Sequence, residues 1–191
     1  MFKDVIRETE GRVVMNPLIT LAALTGPPES RPSRVPVRPI EPGDLPEVAR
    51  VYSRAYVGDA ASGHGGDPGR IRALFDGVHG CPVTEASLVA AAPDGRIAAA
   101  IITTDTTSGT EKSTAAFIAE LFTDPDHRRQ GLAEELLHHC MHTLHSIGRG
   151  TVAVTIDSSN AAAMALYLSR DFRRLTIGGV VRSLVRFDKA S

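Results

Sequence analysis

Tryptophan is absent from this 191-residue chain, cysteine occurs only twice, and aromatic residues make up 5% of it. Two cysteines so far apart, Cys81 and Cys140, cannot build a disulfide framework. Cys140 falls in a helical apolar pattern and reads as a core thiol, and such sparing use of cysteine fits a reducing compartment. No apolar run approaches the ~18 residues that a membrane-spanning helix needs. The opening "MFKDVIRETEGRVV" mixes acids and bases before the short apolar "PLITLAAL", which lacks the basic start and long apolar core of a secretory signal. No charge of either sign dominates: the formal net charge is −1, which gives no footing for non-specific binding to nucleic acid or to a membrane. What remains, with 42% hydrophobic and 23% charged residues, is the composition of a globular cytoplasmic protein of one domain with an appendage.

The stretch "TGPPESRPSRVPVRP", residues 25–39, carries five prolines and no hydrophobic periodicity, as in a linker or extended arm. Residues 1–34 are therefore expected to form an N-terminal extension and proline-rich linker, and residues 35–191 the main domain. The extension is too short for a core of its own. It is expected to pack on the main domain, on a second subunit, or on nothing.

From residue 35 the pattern alternates. "VPVRPI" suggests a strand. In "PGDLPEVARVYSRAY", Leu45, Val48, Val51 and Tyr52 recur at helical spacing, with Asp44 as the cap and Pro46 in the first turn. The glycine-rich "VGDAASGHGGDPG" is a loop, and "RIRALFDGVH" a short helix. "ASLVAAA" and "RIAAAIITT" flank a "PDG" turn and form a hairpin. "STAAFIAELFT" is another strand. It is followed by a helix whose apolar stripe runs through Leu132, Leu136, Leu137, Cys140, Met141 and Leu144. "TVAVTI" is a strand, "NAAAMALYLSRDF" a helix, and "RRLTIGGVVRSLVRF" two strands about a Gly-Gly turn. The order β-α-α-β-β-β-α-β-α-β-β predicts an α/β fold, a mixed sheet of six to seven strands with helices on both faces.

The segment "DPDHRRQGLAEELL" places two arginines and a glycine where a strand ends and a helix begins. The spacing does not match G-x-G-x-x-G, and no G-K-[ST] follows, so dinucleotide and P-loop readings fit poorly. Gly131 and Ala133 are small enough for a ligand to approach the backbone. Arg128 and Arg129 add positive charge, and the amides from 129 to 133 would form a concave donor set suited to a pyrophosphate. By itself the short pattern is equally compatible with a solvated helix start.

Its surroundings separate the two readings. "AELFTDPDHRRQGLAEELL", followed by "VAVTIDSSNAAAMALYLSRDF", resembles the GNAT superfamily of acyl-CoA-dependent N-acyltransferases. The pyrophosphate motif R/Q-x-x-G-x-G/A is matched by Arg128, Gly131 and Ala133, and the following N-x₂-A-x₃-Y-type helix by Asn160, Ala163, Tyr167 and Phe172. "VRPIEPGDLPEVARVYSRAY" looks like that family's first strand and helix. The resemblance covers roughly residues 35 to 187. Two departures stand out: Asp171 occupies the place of a glycine that serves a left-handed helix end, and Thr123 that of an aliphatic residue.

The resemblance implies a GNAT fold in which the strands "AELFT" and "TVAVTI" splay apart and acetyl-CoA lies between them. Backbone contacts are implied at Leu121, Phe122 and Thr123, and a pyrophosphate seat at Arg128, Arg129, Gln130, Gly131, Leu132 and Ala133. Asn160 would contact the pantetheine arm, or else simply cap its helix. Tyr167 is implied as the acid that protonates the leaving thiolate, since a phenol with a pKa of about 10 is protonated at neutral pH. The alternative is an ordinary core tyrosine. Glu120 is implied as the base, against a structural ion pair, and strand alternation predicts Ala119 and Leu121 on the face opposite it.

His138, His142 and His145 recur at i, i+4 and i+7 beside Glu134 and Glu135. They read as a solvated helix face rather than a metal site, and none of the implied chemistry calls for a metal. His64 and His79 lie near the glycine-rich loop and read as loop surface. The expected activity is N-acetyl transfer from acetyl-CoA to a primary amine of a small molecule or peptide, by direct transfer in a ternary complex. A homodimer stays open. The rival is a non-catalytic acyl-CoA-binding sensor or interaction module on the same fold, and a nucleotide-binding protein ranks below both.

Overall fold

A computed structural model of the chain describes residues 17–27, 33–57, 66–105 and 115–175. Its elements are β1 (Leu18–Leu24), β2 (Val37–Pro39), α1 (Leu45–Ala55), α2 (Gly69–Phe75), β3 (Leu88–Ala91), β4 (Ile97–Asp105), β5 (Ala115–Thr123), α3 (Leu132–Ser146), β6 (Thr151–Asp157), α4 (Ala161–Leu168) and β7 (Arg173–Arg174). They form one seven-stranded sheet in the order β2-β3-β4-β5-β6-β1-β7. Neighbours pair antiparallel except β5 and β6, which run parallel.

Central β4 is an apolar run because both its faces are covered. Ala99 and Ile101 join a cluster with Leu132, Leu136, Leu137, Cys140 and Leu144 of α3, while Ala100 and Ile102 join one with Val48, Val51 and Tyr52 of α1 and Ile71 and Leu74 of α2. The stripes read from periodicity in α1 and α3 are thus the faces laid on the sheet. Among the described residues no helix is long and apolar enough to cross a membrane.

The apolar "LITLAAL" of the N-terminal extension is a full strand of the sheet. β1 pairs with β6 along its whole length, from Leu18 opposite Asp157 to Leu24 opposite Thr151. Ile19, Leu21 and Ala23 sink into the cluster under α3, so this strand of the extension packs on the main domain. Short β7 pairs with β1 rather than with β6. Residues 176–191, where a final strand was expected, lie outside the described residues, as do His64 and most of the glycine-rich loop.

Three local expectations change. Asp44 does not cap α1 with its side chain; it accepts from the Glu41 amide at 2.8 Å and from Arg38, closing a 3-10 turn over Pro42–Asp44 that leads into the helix. The histidines of α3 do not share one solvated face. His145 is exposed, but His138 is buried and His142 is half-buried against it, with rings 4.6 Å apart. The reason is the segment after the prolines, which crosses this side of α3: the Arg34 amide donates to Glu135 at 3.3 Å, and Ser33 Oγ meets His139 Nε2 at 3.2 Å. Buried Glu135 thereby gains a partner from outside its own helix.

Candidate active site

The register of the sheet opens a gap at its centre. β5 and β6 pair only from Ala115 opposite Thr151 to Ile118 opposite Val154, and beyond that point β5 continues on β4 alone. The main chain of Ala119–Thr123 therefore presents an edge without a ladder partner toward β6. Such an edge can receive an extended ligand as a sheet receives an added strand. Leu121 leans against the cluster under α3, and Phe122 is buried on the opposite face, its ring 5.3 Å from that of Tyr52. Of Phe122, only the backbone is left for a ligand in the gap.

A β-bulge marks the start of this edge. Thr103 pairs with Ile118 and Ile102 with Glu120, so Ala119 is the extra residue. A bulge breaks strict alternation and re-aims the side chains around it. Ala119 packs against the cluster of α1 and α2, the side on which Glu120 also finds its partners, while Leu121 faces the other way. The expectation that Ala119 would oppose Glu120 fails for that reason.

Glu120 is a buried carboxylate with two partners that sequence reasoning did not single out. Arg70 Nε, at the start of α2, donates to Oε1, and the Tyr56 hydroxyl, just past the end of α1, donates to Oε2 at 3.2 Å. Tyr56 is four residues beyond Tyr52, and their rings meet at a tilt with centroids 4.8 Å apart, so helical spacing was a signal for it. For Arg70 no signal existed, because a glycine-rich loop of unknown path precedes it. The loop's return is held by Gly66, which has a left-handed φ of 70° and lies so close to α1 that a Cβ would come within 3.1 Å of the Ser53 carbonyl oxygen. Ser53 Oγ donates to the Gly66 carbonyl at 2.8 Å.

Tyr167 lies on the other face of the sheet, in the cluster under α3. It is buried beneath α4, its ring 5.0 Å from the buried Phe172. Burial, then Cys140 and Glu120, push its phenol pKa well above the ordinary value. Tyr56 is raised by burial first, then by Glu120 and Tyr52, with Tyr167 contributing as well, and Tyr52 is pushed up to about 12 by burial and then Glu120. Each of these phenols is therefore protonated at neutral pH. Among the described residues no group donates to or accepts from the Tyr167 hydroxyl.

Beside the gap lies the start of α3. Arg129 (φ 62°) and the N-cap Gly131 (φ 79°) both take left-handed backbone, which curls the chain so that successive amides face one concavity. No acceptor among the described residues takes the amides of residues 129–133, and α3 has no side-chain cap. The space a Gly131 Cβ would fill is open. These amides, together with the positive end of a 15-residue helix, suit a pyrophosphate. Leu132 is buried and offers only its amide; Ala133 is half-buried, and Arg129 and Gln130 are exposed.

Arg128 is used differently from the expectation of a supporting charge. Its guanidinium donates to the Ala55 carbonyl at 2.8 Å, satisfying the C-terminal end of α1. Arg54 reaches back to Asp124 at 3.2 Å and Asp126 at 2.8 Å. The loop before α3 is thus stitched to the helix that carries Tyr56. Asn160 caps α4, its side-chain oxygen accepting from the Ala163 amide at 3.0 Å.

Comparison with known proteins agrees with this geometry. Residues 62–172 match the Acetyltransferase (GNAT) family. Over 62 residues, 32% of this chain and 42% of the relative, the sequence is 42% identical to the ribosomal protein bS18-alanine N-acetyltransferase of Escherichia coli. The match thus spans less than half the length of the curated relatives. The crystal structure of the Escherichia coli ribosomal-protein-S18-alanine N-acetyltransferase superposes with a TM-score of 0.58 at 26% identity, covering 74% of this chain and 79% of that one. A GNAT-family acetyltransferase from Brucella melitensis, solved with acetyl-CoA, shares the fold with a TM-score of 0.59 at 18% identity, over 77% of this chain and 90% of that one. A sheet parted beside a left-handed turn that frees a helix N-terminus, together with these matches, makes the chain a member of the GNAT family of acetyltransferases.

Proposed function

We propose that this protein is an acyl-CoA-dependent N-acetyltransferase that carries an acetyl group from acetyl-CoA to a primary amine of a small molecule or peptide, by direct transfer in a ternary complex. The observation that carries the reading is the parting of β5 from β6 after Ile118, beside the amides of residues 129–133, free among the described residues, at the start of α3. The named activity of the Escherichia coli relative, acetylation of an alanine of a ribosomal protein, supports a peptide amine among the acceptors.

The residues fit the donor. The amides of 129–133 would hold the pyrophosphate, and the unpaired edge at Leu121, Phe122 and Thr123 the pantetheine arm, with Asn160 at its far wall. The donor supplies an activated thioester carbonyl that an amine can attack with release of the thiol. Glu120, reached from the side of α1 and α2, accepts the proton that the amine must lose, directly or through one water. Tyr167, protonated and without a competing partner among the described residues, gives its proton to the departing sulfur. Two free thiols, one exposed and one buried, support a cytoplasmic setting.

Thermal melting with acetyl-CoA, followed by an amine-dependent CoA-release screen over a broad panel, tests the reading. A raised melting temperature and release with some amine are expected. A rise without release from any amine would instead favour a non-catalytic acyl-CoA-binding module.

A further inference from the structure

Arg70 occupies a position that the transfer chemistry does not explain. A base needs an accessible carboxylate, yet Glu120 is held by a guanidinium whose side chain is 16% exposed against 8% for the glutamate. Among the described residues Glu120 is the one side chain that Arg70 hydrogen-bonds. That contact uses one of the five donors a guanidinium carries, in a rigid planar fork.

The pair sets the charge that an acceptor meets. Glu120 is the buried carboxylate on the strand that borders the gap, and Arg70 matches it. The other carboxylate felt by Tyr52 is Asp67, which is exposed and accepts from the Gly69 amide at 2.9 Å at the start of α2. A polycation or a plain alkylamine would face the arginine and gain nothing from it. An amine with a carbonyl on the neighbouring carbon is different. Its carbonyl oxygen lies about 3 Å from its nitrogen by ordinary bond geometry. With the nitrogen on Glu120, that oxygen falls within reach of the guanidinium on the same carboxylate.

We infer that Arg70 is a specificity-determining residue that binds the carbonyl oxygen of the acceptor and so selects amines flanked by a carbonyl, as at the N-terminus of a peptide. This rests on the transferase reading above. Glu120 takes the proton and Arg70 fixes the carbonyl, so the ion pair reads both ends of an α-amino carbonyl group. Peptide recognition then starts from the backbone atoms common to every N-terminus.

Alaninamide and propargylamine separate the possibilities, because their basicities are close and only the first has a carbonyl. Wild-type protein is expected to show kcat/KM for alaninamide at least about tenfold above that for propargylamine, a gap worth one good polar contact. Arg70→Gln, which also takes one partner from Glu120, should lower both values, and the alaninamide value about tenfold more than the propargylamine value. Arg70→Lys, which keeps a charge and one donor group, should recover part of the loss. A parallel loss for both amines in Arg70→Gln overturns the inference, since an arginine that only supports the fold moves both. Should Arg70→Gln lose its thermal shift with acetyl-CoA, the wild-type comparison decides alone, and equal values for the two amines overturn the inference. Failure of every amine in a broad panel overturns the transferase reading itself.

Discussion

The Tyr56 hydroxyl donates to Glu120 Oε2 at 3.2 Å, joining the end of the first helix to the bulged strand at the centre of the sheet. Together with Arg70 on the other oxygen, it fixes the orientation of a carboxylate that would otherwise be costly to bury. Both partners hold the group from the side of α1 and α2.

Glu120→Gln retains a side-chain oxygen for one of these donors but can no longer take up a proton. The expected result is a fall in kcat/KM of about 10²-fold or more, the usual range for a lost general base. The thermal shift with acetyl-CoA should persist, because none of the amides at the start of α3 is touched. A variant with normal turnover and a lower melting temperature would instead mark Glu120 as half of a structural ion pair.

Tyr167→Phe removes a hydroxyl that bonds no described residue, so the fold should tolerate it. Affinity for acetyl-CoA should stay within about twofold, while kcat falls about 10²-fold or more. Equal losses of kcat and cofactor affinity would make Tyr167 a packing residue.

Alkaline stability follows from the same phenols. Tyr52, Tyr56 and Tyr167, and the buried thiol of Cys140, all have folded pKa values raised above their ordinary ones, chiefly by burial. Each holds its proton more tightly folded than unfolded. The stability this represents is fully present below the unfolded values of about 8.5 for the thiol and about 10 for the phenols, and drains as pH rises through the folded values. Melting temperature should therefore decline steadily above about pH 9. The decline should be shallower in Tyr167→Phe, which a melting series from pH 7 to 11 would show.

Much of this was legible in the sequence. The helical stripe through Val48, Val51 and Tyr52, and the period of Leu132, Leu136 and Leu137, survive folding because each helix lays one face on a sheet. The turn at Gly131 was legible because glycine before a helical pattern has few other uses. Register was not. That Ala119 and Glu120 both lie on the side of α1 and α2 depends on a one-residue bulge that side-chain chemistry does not announce. The strand Leu18–Leu24 was hidden for another reason: its partner β6 lies far along the chain, and proximity in sequence says nothing about an antiparallel pairing at that separation. Leu21, nearly inaccessible in that strand, tests its importance: Leu21→Ala should cost about 2–5 kcal/mol, measured by denaturant unfolding.

Asp171 shows the opposite case, a departure from family pattern whose meaning could be read beforehand. It takes the left-handed conformation, φ 62°, that ends α4 and turns the chain so that the Phe172 amide bonds the Tyr167 carbonyl at 3.1 Å. Asp tolerates this better than most residues but less well than glycine. Asp171→Gly should raise stability by up to about 1 kcal/mol, or about 2–4 °C in melting temperature for a chain of this size. The exposed ion pair to Arg173 that is lost weighs little against this.

Gly131 and Gly148 bracket α3 with matching backbone, φ 79° at one end and 80° at the other, and neither has an atom within 4 Å of where a Cβ would stand. A methyl group at either position therefore meets the same penalty, about 1–2 kcal/mol of left-handed strain, and no clash. Only at Gly131 does that methyl enter the concavity faced by the amides of 129–133. Gly131→Ala and Gly148→Ala should lose similar stability without ligand. The first should also lose most of its thermal shift with acetyl-CoA, with Kd raised about tenfold or more, while the second keeps the full shift. Equal shifts in the two variants would remove the pyrophosphate from this helix end.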